Sequence, residues 1–559
     1  MRASTCSSSV AEMSERLRKR LAIALGLAVF MAAGAALERA TELQPLRRFL
    51  RNDEVPAAHL DTGKLGELLR ELGLVRIVPN DYGEAPSTEG VGAFPKKRRT
   101  GDWVYVARQH ATRPPPVSTQ HRTFLAIEID EHHLYNPESG ILVHSGRRGR
   151  PWERPASVAL VLDGELCFAT RAGLRLHGGQ DRHAGTLDNS YRLYFRGGLG
   201  LPSVDIGIGG RPLERLVVRK DSSFTTAIAF DVARRIGCLV PEVIPVVLYV
   251  NGDCLGIYTL SEHLSREPWS RRLGHADFLF YPAKGTTDVE SRERYRELHD
   301  WVQTPEVSLS SAATRVDLEN LSAHLFSIMF CGTVDWRQGV AVLDEREEQP
   351  VWRWVNWDMD RSFSHYLGLD EPPWEQPGTE LILGGMRWYK DPPLPLDEDQ
   401  LDPREILFER LTRRSREFRE GFLALGQDLL NHVLTPEYLS ARMDHWDGEA
   451  RRLRGHKFGA APLRRIRTFL ERRTESMRSD LQRGFGAGEL FTVGVRGPEG
   501  SGLRVDGYAE GEVYRGEYFA DSTIVVEGEV DHWLVDGERV DGARLEHRVT
   551  ADVSIVGRN

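Results

Sequence analysis

Residues Thr225–Gly237 read TTAIAFDVARRIG, and Val243–Glu262 read VIPVVLYVNGDCLGIYTLSE. In the first stretch apolar residues recur at helical spacing and a glycine closes the run, which predicts an amphipathic helix. In the second, two apolar runs flank Asn251-Gly252, a pair suited to a two-residue hairpin turn because both central residues take positive φ. A helix followed at once by a hairpin points to an α+β fold. Toward the N-terminus, Phe124–Asp130 (FLAIEID) has strand character, and Ser157–Ala169 (SVALVLDGELCFA) reads as two strands around Asp163-Gly164. GLRLHGG and SYRLYFR add two alternating segments with arginines on one face. A strand-rich lobe with one inserted helix is thus expected over roughly 120–280.

Beyond it the pattern turns helical. Asp317 is placed to cap a helix through LENLSAHLFSIMF, where His324 falls on the apolar face. Val351–Asp360 (VWRWVNWDMD) reads as a strand ending in carboxylates, and residues 404–485 carry long, arginine-rich helical patterns whose arginines are expected on solvated faces. Thr435-Pro436-Glu437 is an N-cap followed by proline at the first helical position. After Gly484 short Val-rich segments such as TIVVEGEV and WLVDGERV, broken by Gly and Asp, predict a small β-sandwich-like module over 487–559.

The chain has 559 residues, too many for one core, so two or three domains are expected. Its 40% hydrophobic and 28% charged content is ordinary for a globular protein. The net charge of −9 is spread among mixed signs, which gives no nucleic-acid footprint. The first 40 residues differ. A basic cluster, Arg16–Arg20 (RLRKR), precedes the uncharged run Leu21–Leu37, the signature of an export signal peptide or a membrane anchor. The run is at the lower limit for spanning a bilayer, and Ala33–Ala36 permits cleavage, so both outcomes stand. Residues 41–120 read as a linker or stalk, with a short helix at Gly63–Leu74 and a Pro114–Pro116 run. The five cysteines show no metal spacing; Cys238 and Cys254 are either a pair in an oxidising compartment or small buried hydrophobes.

Several segments together resemble the CotH family of spore-coat and surface-protein kinases. LYNPESGILVH (Leu134–His144), PWERPASV (Pro151–Val158), GLRLHGGQDR (Gly173–Arg182), SYRLYFR (Ser190–Arg196), LYVNGDCLGIYTLSEH (Leu248–His263), GTVDW (Gly332–Trp336) and WVNWDMDRSF (Trp354–Phe363) occur in the family's order over about 115–485. The resemblance implies an atypical protein-kinase-like domain over 121–486, with a strand-rich N-lobe and a helical C-lobe. It implies ATP and Mg²⁺ (or Mn²⁺) as cofactors, transfer to Ser/Thr of an envelope or surface protein, and a periplasmic, membrane-anchored or extracellular location. By the same resemblance Asp335 is the catalytic carboxylate and Asp358 the metal ligand.

The residues carry that chemistry on their own terms. Phosphoryl transfer needs a positioning carboxylate, hard oxygen ligands and cationic or backbone donors for the phosphates. Asp358 and Asp360 lie two apart at a strand end, where alternation points them the same way; Asp360 is either a second ligand or a salt-bridge partner of an arginine such as Arg361. Gly178 and Gly179 let backbone N–H groups approach a phosphate. Arg175, Arg182 and Arg192 suit phosphate with their guanidinium forks, Lys284 is a further nucleotide-contact candidate, and by the resemblance Glu262 either orients a cationic residue or helps hold the metal at the cofactor site. The sequence departs from the family at Asp188-Asn189, where a lysine pair is usual, and at Gly339-Val340, where an asparagine is usual. Gln338, Arg192 and Lys284 are the candidates to compensate. The alternative reading is a pseudokinase acting as a surface structural or binding protein.

Overall fold

A computed structural model describes residues 74–79, 103–107, 121–179, 182–208, 212–221, 223–282, 288–337, 339–363, 375, 378–384, 386–387, 394–395, 401–454 and 461–559. The chain divides into two compact units, Met1–Val204 with Val246–Gly256, and Asp205–Pro245 with Ile257–Asn559. The α+β class expected from the sequence is the class found. The export segment, the 63–73 part of the expected helix, the Gln180-Asp181 part of the GLRLHGGQDR segment, Lys284 and Gln338 lie outside the described residues. Among the described residues, no helix is long and apolar enough to cross a membrane.

In the first unit, β1 (Leu74–Pro79) pairs antiparallel with β2 (Trp103–Ala107), within the stretch expected to be a linker. The main sheet contains β3 (Phe124–Glu128), β4 (Arg154–Leu162), β5 (Glu165–Leu176), β6 (Tyr191–Tyr194) and the part of β8 (Val243–Val250) that lies in this unit. β3 runs parallel to β8 and antiparallel to β4; β4 pairs with β5 and β5 with β6. Leu125, Val158, Leu160, Leu174 and Leu193 are fully buried along it. The turn residues act as their chemistry requires. Asp163-Gly164 sits at φ 51° and 91°, and Asn251-Gly252 at 51° and 85°, both central positions positive as in a type I′ hairpin. A short helix, α1 (Glu131–Tyr135), is capped by the Asp130 carboxylate.

In the second unit, β7 (Arg215–Lys220) pairs antiparallel with the Tyr258–Glu262 part of β9 (Asp253–Glu262). Helix α2 (Thr225–Ile236) follows β7 and ends on left-handed Gly237 (φ 99°). β10 (Phe278–Pro282), β11 (Val340–Asp344) and β12 (Trp352–Val355) form an antiparallel sheet, whose core is Phe278, Phe280, Val340, Val342 and Val355 with Trp269 of α3 (Arg266–Leu273). The helices are α4 (Val289–Val302), α5 (Leu309–Ala313), α6 (Leu318–Cys331), α7 (Gly378–Leu383), α8 (Pro403–Arg414), α9 (Arg416–Asp428), α10 (Pro436–Arg454) and α11 (Ala461–Phe485). A two-residue pair, β13 (Met386–Arg387) with β14 (Leu394–Pro395), precedes α8.

The C-terminal strands form two sheets in the orders β18-β15-β23-β20-β21 and β17-β16-β19-β22. Their ranges are β15 (Leu490–Arg496), β16 (Arg504–Val505), β17 (Tyr508–Ala509), β18 (Val513–Phe519), β19 (Thr523–Glu527), β20 (His532–Val535), β21 (Glu538–Asp541), β22 (Arg544–Arg548) and β23 (Val553–Arg558). Val493, Val495, Tyr518, Ile524, Val526, Trp533 and Ile555 form their shared core. The four described cysteines are free. Cys238 is buried and its thiol points at the Ala323 carbonyl (3.3 Å), whereas Cys254 is exposed, so the disulfide considered for this pair is not formed.

Asp317 fixes the start of α6: its Oδ1 accepts from Asn320 N (2.9 Å) and its Oδ2 from Arg353 Nε (2.8 Å). Asp317→Ala is expected to cost about 1 kcal/mol, the usual worth of such a cap, and Asp317→Asn to recover most of it, read from midpoints of urea unfolding.

Candidate active site

β7 ends in Arg219-Lys220, and Asp221 follows it. The Arg219 side chain is only 13% exposed, and its Nη1 lies 2.6 Å from Asp358 Oδ1 and 3.2 Å from Asp360 Oδ2. One guanidinium therefore holds both carboxylates. Its carbon also lies 5.4 Å from the centre of the Trp357 ring, within cation–π range. Burial opposes the guanidinium charge, but Asp358 and Asp360 more than offset it and push the Arg219 pKa above its ordinary value.

The strand expected over Val351–Asp360 stops at Val355. Asn356 then turns inward, its Oδ1 accepting from His324 Nδ1 (2.9 Å) and its Nδ2 donating to Ser327 Oγ (2.6 Å). Asp358 follows in the left-handed region (φ 59°, ψ 41°), and Met359–Arg361 make one 3₁₀ turn. Strand alternation thus does not orient the two acids; a local turn does. Asp360 is in an ion pair, as one reading expected, with Arg219 as the cation seen. Such a left-handed non-glycine residue costs on the order of 1–3 kcal/mol, and the Arg219 bridge is the contact that compensates.

Asp221 lies between β7 and α2. Its Oδ2 accepts from Ala227 N (3.2 Å) and its Oδ1 from Thr226 N (3.4 Å) at the N-terminus of α2. Full burial pushes its carboxyl up to about 6, against the pull of those N–H groups and Arg219.

Asp335 lies half-buried in the turn after α6. Left-handed Gly332 (φ 60°) ends that helix, and its last carbonyls are capped by a buried arginine: Arg473 of α11 donates from Nε to Phe330 O (3.0 Å) and from Nη2 to Met329 O. The turn is tied directly to the carboxylate segment. Val334 N donates to Arg361 O (3.1 Å), Phe363 N to Cys331 O (2.7 Å), and the Thr333 and Ser362 hydroxyls meet at 2.8 Å. The segments carrying Asp335, Asp358 and Asp360 are therefore held side by side.

Past the turn, Arg337 pairs with Glu405 (2.9 and 3.0 Å) and Trp336 Nε1 donates to Leu381 O (3.0 Å). Arg404 is 1% exposed; it forks onto Asp402 (2.7 and 2.8 Å) and donates from Nη1 to His324 Nε2 (2.7 Å). Burial and then Arg404 push His324 down to about 3, so it is a neutral core histidine. A β-carbon at Gly339 would sit 2.6 Å from Arg404 Nη1. The missing asparagine thus has a physical counterpart: Arg404 takes the space beside Gly339. A cavity of about 400 Å³ opens here, lined among others by Tyr281, Tyr295, Arg337, Gly339, Asp402 and Arg404. Glu262, the last residue of β9, is buried opposite Leu216.

The remaining candidates lie in the first unit. Arg175 donates to Glu153 Oε2 (2.9 Å from Nε), Arg196 to Glu153 Oε1 (2.7 Å), and Arg175 stacks over Tyr194 at 4.1 Å. Arg182 donates to three backbone carbonyls, Gly178, Ser145 and Arg147 (2.9–3.2 Å); burial, with Arg148 and Arg192 nearby, lowers it to about 10. Arg175 and Arg182 are therefore struts of the unit itself. Arg192 lies opposite Arg175 across β5 and β6 and meets His177 Nδ1 at 2.8 Å. Gly178 takes φ 97°, and the space beside Gly178 and Gly179 is open. Asn189, one of the lysine-replacing positions, is buried and pins its own loop through His183 N (2.8 Å), His183 O (2.9 Å) and Thr186 O (2.7 Å).

Sequence reasoning missed Arg219, Asp221, Asp402 and Arg404. The available signals were an arginine at the end of an apolar strand, an aspartate just before a helix, and Asp402-Pro403 in the N-cap and first-turn positions of α8. Residues 219–479 match a family model described as CotH kinase protein. That range begins at Arg219 and includes the GTVDW and WVNWDMDRSF segments, while the LYNPESGILVH, GLRLHGG and SYRLYFR segments lie before it. No curated protein matches the chain.

Asp221 gives a pH dependence with a definite sign. Its folded-state pKa of about 6 lies above the ordinary 3.8, so between those values the native state binds more protons than the unfolded one and stability falls as pH rises. Asp221→Asn keeps an acceptor for the α2 N–H groups and removes the ionisation. The variant is expected to flatten the stability profile from about pH 4 to 6, measured by urea unfolding at each pH.

Proposed function

Residues 219–479 match the CotH kinase protein model, and on that premise we propose that the chain is a CotH-family member and an exported protein kinase. In this reading it moves the γ-phosphoryl group of ATP to a Ser or Thr hydroxyl of an envelope or surface protein. The observation that carries the reading is the convergence of Asp358 and Asp360 on a single cationic group, next to the Asp335 turn. Two carboxylates on one point, one of them in a left-handed turn after a buried strand, form a hard-oxygen donor set that fits Mg²⁺ or Mn²⁺. Asp358 with Asp360 would hold that ion, which neutralises charge on the phosphates during transfer.

The remaining roles fall to the chain's own groups. Asp335 accepts the hydrogen of the attacking hydroxyl as the new O–P bond forms and the bond to ADP breaks. The Val334–Arg361 and Thr333–Ser362 contacts keep its turn in register with Asp358, which is the positioning such chemistry demands. Glu262 and Lys284 are proposed to orient the nucleotide. In the first unit, taken by itself, Arg175 and Arg182 serve internal contacts, and Arg192 with Gly178 and Gly179 is proposed as that unit's own phosphate-binding group. The segment before Glu38 is proposed to export or anchor the chain, placing the domain in the periplasm, at the membrane or outside the cell.

Arg219 favours a second reading. A guanidinium already bridging Asp358 and Asp360 competes with a metal for the same oxygens, and Arg404 occupies the space beside Gly339. On that reading the chain keeps the family's scaffold as a pseudokinase that binds or organises surface proteins.

Thermal unfolding of the purified chain separates the two. Millimolar Mg²⁺ with ATP is expected to raise the midpoint by several degrees, because a ligand bound only by the native state stabilises it. The rise should vanish in Asp358→Ala. No shift with ATP and either Mg²⁺ or Mn²⁺ would contradict the kinase and leave the scaffold reading.

A further inference from the structure

A cluster far along the chain from the residues above joins the helices to the C-terminal strands within the second unit. We propose that Asp428, His432 and Asp506 bind a divalent transition-metal cation of the Zn²⁺, Co²⁺ or Mn²⁺ type, which clamps the β module onto the end of α9. Ligand atoms of the three residues all lie within 4.8 Å of one another.

The backbone prepares the first two. After Asp428 the chain widens into one π-helical turn, Leu429–Val433, closed by Leu434 N donating to Leu429 O at 2.7 Å. Such turns recur at functional sites, and this one sets the carboxylate and the imidazole on the same side. The third residue comes from the module: Asp506 sits at φ 51° in the Asp506-Gly507 turn between β16 and β17. Its orientation is fixed by Val525 N donating to Oδ1 (2.8 Å) and Tyr518 Oη donating to Oδ2 (2.7 Å).

His432 is prepared as a ligand. Its ring is fully buried, stacked nearly parallel between Tyr508 (4.5 Å) and Tyr514 (5.0 Å). Nδ1 lies 2.7 Å from Glu510 Oε1. With the carboxylate accepting the Nδ1 proton, the lone pair sits on Nε2, the carboxylate–histidine arrangement that orients metal-binding imidazoles. Nε2 faces Asp506 Oδ2 at 3.7 Å. That gap is too long for a hydrogen bond, yet it matches two ligands each about 2.0–2.2 Å from one shared ion. The Tyr514 hydroxyl, 3.4 Å from Nε2, makes its short contact with Tyr518 instead (2.7 Å). Among the described residues, no hydrogen bond reaches the Asp428 side chain.

Charge points the same way: three carboxylates, Asp428, Asp506 and Glu510, surround one imidazole. One nitrogen and two carboxylate oxygens suit a borderline cation, with water completing the coordination. The neighbouring contacts give the site a mechanical role. Gln427 Oε1 accepts from Phe519 N (2.6 Å), and Asn431 brackets Glu517 through its carbonyl (2.9 Å) and its N–H (3.2 Å). The ligands at 428 and 432 thus flank a face of the helix that already grips β18.

Co²⁺ titration of the chelator-treated full chain, followed by visible absorption, tests this. A ligand-field band distinct from aqueous Co²⁺ is expected to saturate at one equivalent, to be displaced by Zn²⁺, and to vanish in His432→Gln and in Asp428→Asn. Glu510→Gln, which alters only the positioning contact, should keep the band and weaken affinity by about 10–100-fold. Circular dichroism reports folding; if His432→Gln does not fold, Asp428→Asn carries the test. A folded parent with only the aqueous spectrum, or a band that survives in a folded Asp428→Asn chain, would overturn the proposal and leave His432 as an imidazolium paired with Glu510 and Asp506.

Discussion

The charge on Arg219 must be answered where it lies, because its side chain is nearly withdrawn from water. A buried guanidinium without partners is among the most costly features a fold can carry. Two acids from one short segment answer it, and much of the site's geometry follows. Asp358 accepts a left-handed backbone to reach Nη1, the 3₁₀ turn brings Asp360 to the same atom, and the chain leaves toward Phe363 in register with the turn holding Asp335. The same contact has a functional consequence: any cation that uses these carboxylates must share them with Arg219 or displace it.

Arginine plays this internal part repeatedly. The arginine-rich helices read as solvated faces in the sequence, yet Arg404 of α8 and Arg473 of α11 are fully buried. Arg473 satisfies carbonyls at the end of α6 that have no partner within the helix, and so fixes where the Asp335 turn begins. Arg404 ties Asp402 to His324, and through His324 to Asn356 at the start of the carboxylate segment. In the first unit Arg175 and Arg182 are spent in the same way, on Glu153 and on backbone carbonyls. A guanidinium's five donors make it equally good at phosphate recognition and at internal bracing, and composition alone does not separate the two.

What the sequence made legible was local. The Asp163-Gly164 and Asn251-Gly252 turns, the glycine stop at Gly237, the Asp317 cap and the Val-rich C-terminal strands each follow from a few adjacent residues, and each is present. The ordered motifs also led to the family whose model matches 219–479. What failed were inferences that assumed a regular element where the chain turns. Val351–Asp360 looked like one strand because its apolar residues run on to Trp357 and Met359, but Asn356 finds better partners in His324 and Ser327 than in a ladder. The partner of Asp358 and Asp360 was hidden because it belongs to a different strand, and nothing near Arg361 announced it.

The central claim is that Asp358 and Asp360 form a cation-organising pair serving a nucleotide. Counting Mn²⁺ bound per chain by electron paramagnetic resonance, with ATP present, tests it most directly. The His432→Gln background keeps the count to this site. The account predicts one Mn²⁺ bound with ATP, lost when Asp358→Asn is added. No bound Mn²⁺, or binding unchanged by Asp358→Asn, would contradict it.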